Sequence, residues 1–309
     1  MREKLRVPAA LVGSGLAGAL VAVQSRINGG LSQQIGNGFV TAAVSFGSGL
    51  IILIVIVALS SRAKRGVGRL VSEVRTRRFP VWALFGGASG AFFVLMQGLV
   101  ATVIGVALFT VGVVAGQVLG GLVMDRVGIG PGGRVDPSLL RIAGTVLAIV
   151  AVGISAAGEF GEGSPWLVLF PFIAGAAVAW QSASNGLVRA AAESAVTATF
   201  LNFVVGTAIL LVVAGVSVAV NGWPENWPAE PIYYVGGLSG VIFIAIASIL
   251  VRVAGVLLLS MSNVAGQLLA SVALEAGLPL AGGVTVGMLI GTLVALVAVV
   301  IAAIPGRVR

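Results

Sequence analysis

The chain has 309 residues, 58% of them hydrophobic and only 9% charged, with a formal net charge of +8 and a mean hydropathy of +1.13. A soluble domain carries about 25% charged residues, so this chain cannot cover a water-facing surface. It reads as an all-α membrane protein, because a transmembrane barrel would show short alternating segments instead.

Ten apolar runs follow one another along the sequence, each long enough to cross about 30 Å of hydrocarbon. The first, 7–25, follows Arg2, Lys4 and Arg6 and has the outline of a signal peptide. It is copied inside the chain, which a cleaved leader has no reason to be, so it is expected to stay as a span. It runs into the polar stretch Gln24, Ser25, Arg26, Asn28. The second run, 38–60, leads to a loop holding Arg62, Lys64, Arg65, Arg69, Arg75, Arg77 and Arg78. The third and fourth, 80–100 and 103–124, are separated only by Thr102 and a tight turn. The fifth covers 139–158, and GEFGEGSP at 158–165 links it to the sixth, 165–183. The seventh, 195–220, precedes the loop NGWPENWPAEP. The eighth and ninth, 232–250 and 253–274, are divided by Arg252, and the tenth covers 283–304.

With a cytoplasmic N-terminus, ten alternating spans put 17 of the 18 Lys and Arg residues on the cytoplasmic side and only Arg26 outside. Glu159, Glu162, Glu225, Glu230 and Glu275 fall outside. This follows the positive-inside rule and implies a multi-pass protein of the plasma (inner) membrane with both termini cytoplasmic. The basic clusters serve topology and lipid headgroups, not nucleic acid. Trp82, Trp166, Trp223 and Trp227 sit at span ends or in the outside loop, as interfacial anchors do.

The two halves repeat. AGALVAVQSRINGG at 17–30 aligns with AGAAVAWQSASNGL at 174–187 at an offset of 157, and Ser45, Phe46 and Gly49 meet Asn202, Phe203 and Gly206 at the same offset. FGGASGAFF at 85–93 aligns with VGGLSGVIF at 235–243, and GVALFTVGVVAGQVLGGLVMD at 105–125 with GVLLLSMSNVAGQLLASVALE at 255–275, both at an offset of 150. Each half holds five spans. An odd number inverts the second half, so the fold class expected is ten transmembrane helices as two inverted five-helix repeats, 1–160 and 161–309.

Glycines spaced by four, such as Gly112, Gly116 and Gly120, suit close helix packing in lipid and receive no ligand role. Polar residues inside the spans are more informative. Gln24, Asn28, Ser45 and Gln117 have the repeat mates Gln181, Asn185, Asn202 and Gln267. Neutral polar groups in hydrocarbon need partners and turn toward the bundle interior. Such residues either cross-link helices or line a pathway, and all eight are candidate substrate-binding residues. Asn263 is less supported, since its mate is Val113. Arg26, with Ala183 at its mate position, is a ninth candidate, able to attract an anionic group or to snorkel to the headgroups. Asp125 and Glu275 are mates at the ends of spans four and nine, at opposite surfaces, where they cap helices or pair with Arg126. Without His, Cys or a mid-span carboxylate, neither intramembrane catalysis nor a metal or cofactor site is expected.

These motifs resemble the YdcZ-type family of the drug/metabolite transporter superfamily. The resemblance rests on Gln24, Asn28 and Leu31, then Ser45, Phe46 and Gly49, then Gly116, Gln117, Asp125 and Gly128, and it extends once per half over nearly the whole chain. The second half departs from the pattern at Asn202 and at Glu275-Ala276-Gly277, and Arg26 is foreign to it. The resemblance implies a plasma-membrane transporter or exporter of small organic molecules. The residues themselves favour alternating access with a polar site between the halves, taking neutral polar, aromatic or anionic substrates over cations. A passive channel and a flippase for lipid-linked substrates remain the alternatives, and a homodimer is compatible with either.

Overall fold

The structure, a computed structural model, describes residues 6–100, 106–156, 167, 169–277, 284 and 286–304. Among the described residues all regular structure is helical. In chain order the helices are α1 (Arg6–Ile35), α2 (Gly38–Leu59), α3 (Ser61–Arg75), α4 (Gly86–Leu99), α5 (Val106–Val127), α6 (Leu139–Ala156), α7 (Leu169–Ala192), α8 (Ala195–Asn221), α9 (Gly236–Gly277) and α10 (Val286–Ala303). Short 3-10 turns at Val81–Phe85 and Pro231–Tyr234 lead into α4 and α9. By length and composition, five segments among the described residues can cross a membrane: Val7–Ile35, Gly38–Leu59, Val81–Leu99, Ala195–Asn221 and Gly236–Leu274.

Three boundaries differ from the sequence expectation. First, α1 does not stop at the polar stretch but continues ten residues past 25, and α7 likewise runs past 183 to Ala192. Gln24 and Asn28 are four apart and share a face that is buried against other helices, so the helix has no reason to end there. Second, the basic loop after span two is largely helical. In α3, capped by Ser60 Oγ on the Ala63 amide, Ala63, Gly66 and Leu70 face inward while the basic residues are exposed. Gly66 lies against the α7–α8 turn, Thr197 Oγ1 donates to the Ala63 carbonyl at 3.2 Å, and Arg69 pairs with Glu193. Third, the eighth and ninth runs are two helical segments, as expected, but they meet at Gly255 (φ 77°, ψ 169°), three residues beyond Arg252, and together make up α9. The junction of the third and fourth runs, 101–105, lies outside the described residues, as do Trp166 and all of 158–165.

The packing repeats as the sequence does. α1 packs on α9, and its counterpart α7 packs on α4 and α5; α2 meets α8, and α6 meets α10. The contacts are backbone to backbone. A Cβ on Gly18 would lie 1.9 Å from the Asn263 carbonyl oxygen, and one on its mate Gly175 would lie 1.8 Å from that of Val113, the mate of Asn263. Gly116 against Phe172 and Gly266 against Gly15 form a second such pair, each at 1.8 Å. Helices this close need glycine, because in lipid it is shape complementarity and not water exclusion that holds them.

At one end of the bundle, Asp125 of α5 bridges to the break in α9. Its carboxylate accepts from the amides of Val256 (2.8 Å) and Leu257 (3.2 Å), which begin the second segment of α9 and lack intrahelical acceptors. Arg141 of α6 stands 3.6 Å away. The sequence reading gave Asp125 either a helix-capping role or a pairing with Arg126. It caps, from a buried position, and Arg126 pairs with Asp136 instead.

Candidate functional site

Where α1, α2 and α4 meet α7, α8 and α9, with α5 alongside, the bundle leaves a small central cavity. Its walls lie so close that only about 30 Å³ can hold the centre of a water molecule, so the centre is nearly closed. All but one of its lining residues come as repeat mates that both face it, the exception being Ile244. Gln24 and Gln117, their mates Gln181 and Gln267, and Asn263 supply its polar side chains. Four phenylalanines, Phe46, Phe203, Phe93 and Phe243, supply its apolar walls. Among the described residues, no charged one lines it.

Glycines set this geometry. Gly90 of α4 leaves room for the Gln181 amide, 2.5 Å from where a Cβ would be, and for the edge of Phe46 at 3.2 Å. Gly240 of α9 does the same for Gln24 (2.9 Å) and Phe203 (3.3 Å). The Phe46 and Phe203 rings meet across the centre, with centroids 4.9 Å apart and planes tilted by 34°. Each ring also covers a glycine of the other half, Gly206 and Gly49 respectively.

One helical turn from the cavity, the two halves part company. In the second, Gln181 Nε2 donates to Asn202 Oδ1 and Asn202 Nδ2 donates to Asn185 Oδ1, each at 3.1 Å. In the first, Ser45 stands where Asn202 would be. Ser45 Oγ and both amide atoms of Asn28 are buried without a hydrogen-bond partner among the described residues. Gln117 Oε1 and Asn263 Oδ1 are in the same condition at the cavity itself.

Of the nine candidates read from sequence, the four glutamines line the cavity, and Asn28, Ser45, Asn185 and Asn202 lie one turn beyond them. Arg26 is not in the wall. It is partly buried and two residues from Gln24, hence on the other side of α1. Asn263 belongs to the wall although its mate is Val113, which lines it too. The four phenylalanines received no site role from sequence, although Phe46 and Phe203 stand among the repeat mates. The signal that would have found them is the same repetition, since large aromatics recurring at the offsets 157 and 150 point at one centre from two directions.

A family model described as "Putative inner membrane exporter, YdcZ" matches this chain twice, over residues 9–154 and 166–304. The chain belongs to the YdcZ family. As a YdcZ-family chain it carries the family's unit in duplicate, with the glutamine and phenylalanine mates of the cavity divided between the two copies. It belongs with membrane transporters rather than enzymes. No curated protein matches. Among solved structures, a chain described only as "Crystal structure of protein" is similar over 97% of this chain and 96% of its own, at 19% identity and a TM-score of 0.64, which shows a shared fold.

Proposed function

We propose that this protein is an inner-membrane carrier that exports small organic molecules by alternating access, with its substrate held between two inverted five-helix repeats. The ten spans are α1, α2, α4, α5 and α6, then α7, α8, the two segments of α9, and α10, while α3 lies along the cytoplasmic surface. The two segments of α9, 236–254 and 256–277, are roughly 28 and 33 Å long at 1.5 Å per residue, each close to a bilayer core, so the break at Gly255 suits two crossings. The basic residues exposed on α3 support cytoplasmic termini.

The observation that carries the reading is the cavity lined by mates. In two inverted repeats the halves exchange conformations, so a site on their pseudo-two-fold axis is reached from either side with the same wall. The four glutamines replace the hydration of a neutral polar substrate, and the phenylalanines cover its apolar part. A fixed ion would have no counter-charge in this wall, so the site disfavours charged substrates. A passive pore needs a continuous water path, and a centre this tight favours a carrier caught occluded.

The test is a binding and counterflow screen of neutral, anionic and cationic compounds on protein in vesicles. Neutral compounds are expected to bind, and preloaded unlabelled compound to accelerate uptake of its labelled form. In Gln24→Ala and Gln181→Ala, folded protein should lose binding by roughly tenfold each, about the 1.4 kcal/mol of one hydrogen bond. Normal binding by both variants would displace the site from the cavity. Flux without counterflow acceleration would make the protein a channel.

A further inference from the structure

The reading of the cavity as a substrate site leaves open which chemical group it recognises, and the difference between the halves bears on that. Beside the cavity the second repeat is closed on itself. The Asn202 carboxamide accepts from Gln181 and donates to Asn185. The first repeat has the same flanking pair, Gln24 and Asn28, but its middle member is missing, because a serine side chain lacks the amide. What remains at Ser45 is a buried hydroxyl and, opposite it, an Asn28 amide with both of its polar atoms unsatisfied. Asn28 is 4% and Ser45 3% exposed, so neither is satisfied by bulk solvent, and each such group is costly unless something bonds to it. Gly236 of α9 closes the far side. A Cβ there would lie 2.4 Å from Asn28 Oδ1 and 3.2 Å from Ser45 Oγ. On the near side Gln24 opens onto the cavity and its phenylalanines.

We infer that the substrate supplies the missing middle member: the protein recognises neutral molecules bearing a primary carboxamide or an equivalent amide edge. Its N–H donates to Asn28 Oδ1, its carbonyl accepts from Gln24 Nε2, and its body rests against Phe46 and Phe203. The second repeat shows that this pair of side chains, at this spacing, holds a carboxamide, since it holds that of Asn202. The matching position in the second half is occupied by the protein's own Asn202, so one substrate is bound per two-fold site and only in one orientation.

The experiment uses purified full-length protein and four probes of one shape: benzamide, N,N-dimethylbenzamide, acetophenone and benzoate. Benzamide should bind, and the dimethyl amide and the ketone, which have no N–H, should bind on the order of tenfold more weakly. Benzoate should not bind. Ser45→Asn rebuilds the second repeat's network in the first and should cost benzamide tenfold or more while leaving the unfolding temperature unchanged or raised. If Ser45→Asn fails to fold, the comparison of benzamide with its dimethyl analogue in the native protein decides alone. Equal binding of benzamide and the ketone, or unchanged benzamide binding in folded Ser45→Asn, overturns the amide assignment but leaves the cavity as the site. If no probe binds, and none of the wider neutral panel does, the carrier reading falls with it.

Discussion

Asn202 and Asn28 are both buried amides in repeated surroundings, yet they should respond to truncation in opposite ways. Asn202 joins Gln181 to Asn185, so Asn202→Ala strands a donor and an acceptor in a dry interior. Unfolding of the detergent-solubilised protein should then require about 2–6 kcal/mol less, two orphaned groups at 1–3 kcal/mol each. Asn28 has no partner to strand. Asn28→Ala should be neutral or slightly stabilising in the same measurement, and a loss comparable to that of Asn202→Ala would show that the two halves are wired alike. At this scale the sequence was legible where a residue type recurred. Gln24, Gln117, Gln181 and Gln267 were found because both copies kept the amide. The contrast between Ser45 and Asn202 was visible as a substitution, but not its consequence, which depends on the 3.1 Å distances across α7 and α8. Arg26, prominent as a charge in an apolar run, turned out to sit outside the cavity wall, since hydropathy marks a polar residue without saying which side of its helix faces the centre.

Among the elements, α9 shows how a break is built. Gly255 adopts φ 77°, which a residue with a side chain reaches only with strain, and a Cβ there would stand 2.9 Å from Asp125 Oδ2. Gly255→Ala therefore both strains the backbone and pushes away the carboxylate that caps the following segment, for an expected loss of about 2 kcal/mol. Asp125→Ala removes the acceptor from the Val256 and Leu257 amides and the counter-charge from Arg141. A loss of about 3 kcal/mol is expected, and thermal unfolding of both variants checks it. If the cap and the break act as one unit, the double variant should lose less than the sum of the two. The apolar runs themselves were easy to read, because hydrocarbon demands them. Their ends were not. Arg252 looked like the boundary of two spans, but the break falls where glycine tolerates positive φ. The seven basic residues looked like a loop because charge dominated the reading, whereas Ala63, Gly66 and Leu70 mark the inward face of an amphipathic helix.

At the scale of the whole molecule, the closest helix approaches between the halves come in matched pairs. Gly87 against the Asn202 carbonyl oxygen (2.1 Å to a built Cβ) has its counterpart in Gly237 against that of Ser45 (2.2 Å). Such matching is what two copies related by a two-fold axis produce, and with the five spans proposed for each half that axis would lie in the membrane plane. The proposal then requires α3 and the loop 222–230, which follow α2 and α8, to face opposite sides of the membrane. The chain has no cysteine of its own, so single introduced thiols report position cleanly. Both Lys64 and Glu225 are exposed, so Lys64→Cys and Glu225→Cys should fold and differ only in side. In intact cells a membrane-impermeant maleimide should label Glu225→Cys and spare Lys64→Cys until the membrane is opened. Arg65→Cys should follow Lys64→Cys, and Glu230→Cys should follow Glu225→Cys. Labelling of both positions from one side would mean an even number of crossings between them. The two halves would then be parallel, and the symmetric exchange of inward and outward states on which the carrier reading depends would no longer be available to this fold.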